Sequence, residues 1–208
     1  MFGYEFYVDT SRCIGCQACL QACEECDTHR GVSMINFDYL DRPDTIETAA
    51  FVCFHCDEPT CAMVCPADAI KKGVDGIVQS SLKPRCIACS NCVLACPFGI
   101  PKLVPEYEQM VKCDMCYDRT SVGKKPMCAT VCPSQALAYV RSEDIPKLRR
   151  EKAVNQIRFG NEIVRTKVFL MAPHGGADEI SLDASDYVWE GDRTWEGERH
   201  EARTVIAR

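Results

Sequence analysis

No stretch of this 208-residue chain carries the roughly eighteen consecutive apolar residues of a membrane-spanning helix. Its apolar runs, such as "VFLMA" at 168–172, are short. Residues 1–12, "MFGYEFYVDTSR", have neither the basic n-region nor the apolar h-region of a secretory leader. The pair Arg149 and Arg150 lies too far along for a twin-arginine signal. Basic excess is missing too: the formal charge is −6, which argues against nucleic acid as a partner. Histidine is scarce, and His29, His55, His174 and His200 stand in no triad setting. No paired acid and base and no glycine-rich nucleotide loop is present, so the chain is expected to have no substrate site of its own.

What it has is cysteine. There are 17, about 8% of the chain, the density of a disulfide scaffold in a short secreted protein. Without a leader, and with an odd number held in C-x-x-C groups, ligation of metal by thiolates is the stronger reading. Sixteen fall into four groups. The first is Cys13, Cys16, Cys19 and Cys23, spaced C-x2-C-x2-C-x3-C. The second, "CFHCDEPTCAMVCP", holds Cys53, Cys56, Cys61 and Cys65 with a longer middle gap. The third, "CIACSNCVLACP", holds Cys86, Cys89, Cys92 and Cys96 at the first spacing. The fourth is split, "CDMC" then "CATVCP", with Cys113, Cys116, Cys128 and Cys132.

Three thiolates two residues apart can wrap a loop around three corners of a cuboidal iron–sulfur cluster while the fourth begins a helix pointing elsewhere. In two-cluster bacterial ferredoxins that fourth cysteine ligates the other cluster, so the groups are expected to work in pairs. Pro66, Pro97 and Pro133 follow the last cysteine of three groups and turn the chain away; the first group has Glu24 there. Structural zinc is the competing reading, but it has no need of the third cysteine. Cys26 would require a gap unlike that of any other group, so Cys23 is the expected ligand and Cys26 a packed, free cysteine.

The surroundings repeat as well. Extended runs are expected at Phe6 to Val8, Met34 to Tyr39, Ala69 to Lys72, Ile77 to Gln79 and in "SQALAYV", with a further strand at "TKVFLM". Strand, cluster loop and short helix make a ferredoxin module, and two modules of eight cysteines account for all sixteen. Residues 144–159 are expected to be helical, with Ile145, Leu148 and Ile157 near one face and Pro146 in the first turn. From residue 172 the chain is acidic, and Trp189 and Trp195 suit either a solvated tail or a clasp on a partner subunit. Arg12, Arg85 and Lys112 precede three of the groups and would offset cluster charge. His55, inside the second group, is expected to tune or pack beside a cluster.

The order of the groups, the split fourth group ending in "CPSQAL", and the stretch "KCDMCYDRTSVGKKPMC" resemble the iron–sulfur subunits of the dimethyl sulfoxide reductase family of molybdenum enzymes. The resemblance covers about residues 4–140. It implies an α+β fold of two ferredoxin-like 2[4Fe-4S] modules interleaved in sequence, residues 1–50 with 105–142 and residues 51–104, and a C-terminal extension, 143–208. By the same resemblance one cluster is held by Cys13, Cys16, Cys19 and Cys132, and its neighbour by Cys113, Cys116, Cys128 and Cys23. The other module uses Cys53, Cys56 and Cys61 with Cys96, and Cys86, Cys89 and Cys92 with Cys65. Nitrate reductase relatives carry tryptophan where this chain has Cys89, so four complete [4Fe-4S] clusters are expected. The implied function is electron transfer, in anaerobic respiration, between a molybdopterin-containing catalytic subunit and a membrane quinone-interacting subunit or soluble carrier. A hydrogenase or formate-oxidising complex is the alternative partner. The implied location is cytoplasmic or membrane-associated through partners, or exported folded with a partner.

Overall fold

The computed structural model describes residues 4–29, 31–41, 46–148, 152–172 and 178–182. The first strand, β1 (Tyr4–Val8), leads into the first cysteine loop and then α1 (Ala18–Glu24). A hairpin of β2 (Asn36–Asp41) and β3 (Ile46–Phe51) follows, pairing Asn36 with Phe51 and Asp41 with Ile46. The second and third groups each end in a single helical turn, α2 (Thr60–Met63) and α3 (Asn91–Leu94). A short ladder of β4 (Lys102–Val104) and β5 (Gln109–Val111) introduces the fourth group, whose halves carry α4 (Tyr117–Thr120) and α5 (Met127–Val131). Then come β6 (Leu137–Arg141), α6 (Ile145–Leu148), β7 (Lys152–Phe159), β8 (Glu162–Ala172) and β9 (Ile180–Leu182).

Proline sets the helix lengths. Where Cys-Pro closes a group the residue before proline is driven out of the helical region, as at Cys132 with φ −69° and ψ 107°, and the helix stops after four or five residues. The first group lacks that proline, and α1 runs seven residues, carrying Cys23 inside it.

Topology brings the ends of the chain together. The main sheet has the order β6-β1-β8-β7-β9, with β1 antiparallel to β6 and parallel to β8. The first cysteine loop therefore leaves the sheet beside the chain that returns from the fourth group, and the Asp9 amide donates to the Ala136 carbonyl at 2.8 Å. Helices α1 and α5 pack together, as do α2 and α3, where Thr60 Oγ1 donates to the Ala95 carbonyl at 3.0 Å. Phe6, Val8, Met34, Val52, Leu137 and Val168 fill the core between the main sheet and the cysteine loops.

Two expectations need amendment. The residues from Lys152 to Phe159 form a strand, and helix is confined to Ile145–Leu148 with Ile145 buried. A bulge between Val154 and Gln156 breaks the alternation, so that Val154 and Ile157 both face inward three residues apart, a spacing that mimics a helix face. The turn at Gly160, φ +57°, then closes the β7–β8 hairpin. The strands expected around "GVDG" reduce to one bridge, Lys72 to Val78, although the turn is there: Gly73 N–H donates to Ile77 O at 2.7 Å and Gln79 N–H to Lys71 O at 2.8 Å. Trp189, Trp195, His174, His200, Arg149 and Arg150 lie outside the described residues.

Candidate metal centres

Each group bends its backbone at the same place. The residue two beyond the first cysteine has positive φ in all four: Gly15 (70°), His55 (48°), Ala88 (54°) and Met115 (62°). Only Gly15 takes this conformation without cost, and a Cβ there would also meet Thr48 Cγ2 at 3.3 Å. Left-handed backbone at non-glycine residues costs about 1–3 kcal/mol each and is kept where the surroundings clamp a site. A second shared bend lies three residues beyond the last cysteine. The amides of Asp68, Gly99 and Gln135 donate to the carbonyls of Cys65, Cys96 and Cys132 at 3.2 Å each. Cys26 does the same to Cys23 at 3.3 Å. The seventeenth cysteine thus occupies the turn-closing position of its repeat.

The bends gather the sulfurs. One hollow is lined by Cys13, Cys16, Cys19 and Cys132, together with Ile14, Phe37 and Leu137. A second is lined by Cys65, Cys86, Cys89 and Cys92, with Ile70 and Met110. The remaining thiols report their neighbours through their acidity. Burial, then Cys53, Cys96 and Cys61, pushes Cys56 up to about 12. Burial also raises Cys61 to about 11 against the pull of Lys112, with Cys53, Cys96 and Cys92 adding to the rise. Cys113 is pushed up by burial, then by Cys53 and Cys23. Cys128 is raised by burial, Cys113, Cys23 and Cys19, and Cys116 by its bond to Cys26, burial and Cys128. In the first hollow, burial followed by Cys132 and Cys13 lifts Cys19 to about 11. Crowded, buried thiols of this kind become thiolates only when a cation neutralises them.

Donors are aimed at the sulfurs. Backbone amides reach Cys23 from Met34 at 3.2 Å, Cys65 from Ala69 at 3.3 Å and Cys113 from Met115 at 3.4 Å, and the Thr48 hydroxyl reaches Cys13 Sγ at 3.2 Å. N–H···S bonds of this sort stabilise ligating thiolates and tune iron–sulfur potentials. All-thiolate ligands, clamping loops and sulfur-directed donors fit iron–sulfur clusters. Of the three cations expected beside the groups, Arg12 and Arg85 are exposed and pair with Asp9 and Asp68. Lys112 alone is buried, its ammonium bonded to the carbonyls of Val78 and Cys113.

Around Cys23 lies a polar knot that sequence reasoning did not find. His29 is buried; its Nδ1 lies 3.2 Å from Cys23 Sγ and 2.9 Å from Cys23 O, and its Nε2 lies 2.9 Å from Asp114 Oδ1. Burial alone would push this imidazole down, but Asp114 and Cys23 outweigh it and hold it up at about 11. Asp114 is correspondingly held low, burial being outweighed by His29. Cys26 is buried beside them, with Sγ 3.3 Å from Asp118 Oδ1, and its thiol is drawn down by Cys116 against burial. Asp114 sits inside the fourth group's "CDMC", the one cue the sequence held. His55 is fully buried with its Nδ1 accepting from the Val78 amide at 3.0 Å, which ties the second group to the 72–78 turn.

Comparison with known proteins decides the chemistry. Residues 6–25 match the family described as "4Fe-4S binding domain" and residues 45–142 the family described as "4Fe-4S dicluster domain". The probable anaerobic dimethyl sulfoxide reductase chain YnfG of Escherichia coli K12 is 36% identical over 155 residues, 68% of this chain and 75% of that protein. This chain is a [4Fe-4S] iron–sulfur subunit of that family. One subunit of the anaerobic dimethyl sulfoxide reductase of the same organism is 35% identical over 157 residues, covering 69% of this chain and 76% of the relative. The E. coli formate dehydrogenase-O iron-sulfur subunit is 32% identical over 167 residues, 70% of this chain and 55% of the longer relative. The iron–sulfur subunit family therefore takes the thiols for iron and not for structural zinc. Among the described residues no helix is long and apolar enough to cross a membrane.

Proposed function

We propose that this iron–sulfur subunit is a one-electron relay with four [4Fe-4S] clusters in line, built from two ferredoxin-like modules interleaved in sequence. The sets proposed are Cys13, Cys16, Cys19 and Cys132; Cys113, Cys116, Cys128 and Cys23; Cys53, Cys56, Cys61 and Cys96; and Cys86, Cys89, Cys92 and Cys65. The observation that carries the reading is the electrostatic proximity of the sets. Cys19 acts on Cys128, Cys53 on Cys113 and Cys92 on Cys61, which supports the linear order proposed. The exposed cysteines are Cys16 and Cys89, one in each terminal set, which suits electron entry and exit at opposite ends. Each [4Fe-4S] cluster, when bound, accepts and passes on one electron.

The residues of the chain do the rest. Thiolates fix the spacing, sulfur-directed amides favour the reduced state, and the buried Phe54, Val52 and Met115 keep water from the middle of the line. Exposed Ile14 beside the first set, and Ile87, Met63 and Leu94 beside the last two, supply apolar rims for partner subunits. The partners proposed are a molybdopterin catalytic subunit on one side and a quinone-linked membrane subunit or a soluble carrier on the other; the catalytic site belongs to the catalytic partner. The formate dehydrogenase-O relative keeps a formate-oxidising complex as the second reading of that partner.

Anaerobic purification with native partners, followed by metal analysis and stepwise reduction under electron paramagnetic resonance, tests the proposal. About sixteen irons per chain and four successive [4Fe-4S] signals are expected. Eight irons or fewer at full occupancy, or stoichiometric zinc, would overturn it.

A further inference from the structure

We infer that His29 is a positioning residue for the cluster proposed to use Cys23, its ring oriented by Asp114 and its Nδ1–H directed at the Cys23 sulfur. This rests on the ligand sets proposed above and adds to them. Both ring nitrogens face acceptors. Nε2 meets a carboxylate oxygen at 2.9 Å, while Nδ1 meets the Cys23 carbonyl at 2.9 Å and the Cys23 sulfur at 3.2 Å. Carboxylate and carbonyl oxygens cannot donate, so the ring nitrogens are placed as donors to them. The side chains are 1% and 7% exposed, so water does not screen the pair.

The same geometry answers a rival reading. Ligand atoms of Cys26, His29 and Cys116 lie within 4.8 Å of one another, as in a small metal site. Both nitrogens are already engaged with oxygen acceptors, so neither is turned to a metal. It is a donor to sulfur instead, beside the Met34 amide, which reaches the same atom at 3.2 Å.

The placement links two segments that serve one cluster. His29 follows the helix that carries Cys23, and Asp114 stands between Cys113 and Cys116. Their bond fixes the first group's fourth cysteine against the split fourth group. The Nδ1 edge of the ring meets the sulfur and the Nε2 edge meets the carboxylate. Electron uptake makes a cluster more negative, so a hydrogen bond donated to a ligating sulfur raises its potential.

The test is His29→Phe in the full chain, purified anaerobically with its partners and titrated reductively under electron paramagnetic resonance. Phenylalanine keeps a ring of similar size and donates no hydrogen bond. With iron content unchanged, the cluster whose signal disappears in Cys23→Ser should become about tenfold harder to reduce, equal to about 59 mV for one electron. The other clusters should keep their potentials. An iron-replete His29→Phe with every potential unchanged overturns the inference. A Cys23→Ser protein that keeps all its signals overturns the ligand set instead. Should His29→Phe fail to assemble, the unsubstituted protein decides the question. With 15N-labelled histidine, that cluster's reduced signal should show a histidine nitrogen coupling, and its absence overturns the inference.

Discussion

Val8 lies opposite Leu137 on one side and Leu170 on the other, so the strand that feeds the first cysteine group is clasped between the strand after the last group and a strand from the C-terminal extension. The extension is thus part of the scaffold that positions the first and fourth groups. Phe6, 1% exposed at the centre of that strand, is the side chain on which this arrangement packs. Phe6→Ala should cost about 3–5 kcal/mol. Thermal unfolding followed by iron release should show a lowered midpoint, with the proposed Cys13 and Cys113 sets losing iron before the Cys53 and Cys86 sets.

Cys23 and Cys26 make opposite predictions. Cys26→Ser should retain all iron and all potentials, with stability changed by about 1 kcal/mol or less, because serine can keep the bonds to Asp118 and Thr28. Cys23→Ser should abolish the signal of the cluster assigned to Cys113, Cys116 and Cys128. Iron analysis of the two variants side by side checks this, and the reverse pattern would show that the fourth ligand is Cys26.

Cys89 is exposed in the last set of the proposed line. Cys89→Trp should convert that cluster to a three-iron form and leave the others intact. Cluster type and charge set potential, so that one site should shift strongly. Quinol-dependent turnover of the complex should then slow or stop, while an artificial donor acting directly on the catalytic subunit should still support turnover. Unchanged quinol turnover alongside a three-iron signal would place the last set off the route.

Loading the clusters should acidify the solution. Free Cys19, Cys56 and Cys61 sit at about 11, 12 and 11, above the ordinary thiol value of 9.0, so at pH 8 they hold protons that ligation must expel. The sign follows: proton release from these three is full at pH 8 and is lost as the pH rises through 11 to 12. Anaerobic reconstitution in a pH-stat at pH 8 measures the base consumed per iron bound. Release no greater than that of the iron salt alone would show that these thiols do not ligate.

Much of the site was legible because ligation constrains spacing, and spacing is a property of the sequence. The gaps between Cys13, Cys16, Cys19 and Cys23 announced the chemistry, and Glu24 in place of proline set the first group apart without announcing that its helix is longer. Long-range relations were not legible. Nothing local says that β1 pairs with β6 or that Asp114 meets His29, since both depend on packing between distant segments. The reading of 152–159 failed for a specific reason: one bulge turned the period of a strand into that of a helix between Val154 and Ile157. Gly160 followed by Asn161, a turn signal, was the cue that could have corrected it. The repeated left-handed bend was hidden at His55, Ala88 and Met115, where only Gly15 betrayed it.

The parallel pairing of β1 with β8 has a consequence for biogenesis. During translation Tyr4–Val8 leaves the ribosome long before Glu162–Ala172 exists, so one edge of an early strand waits, unpaired, for a late one. By the proposed sets, Cys13, Cys16 and Cys19 likewise wait for Cys132. The half-made chain can close neither its central sheet nor its first proposed cluster. Iron delivery to that end therefore follows synthesis of Cys132 and of β8, and a nascent chain ending before Cys113 should bind metal only through its middle groups.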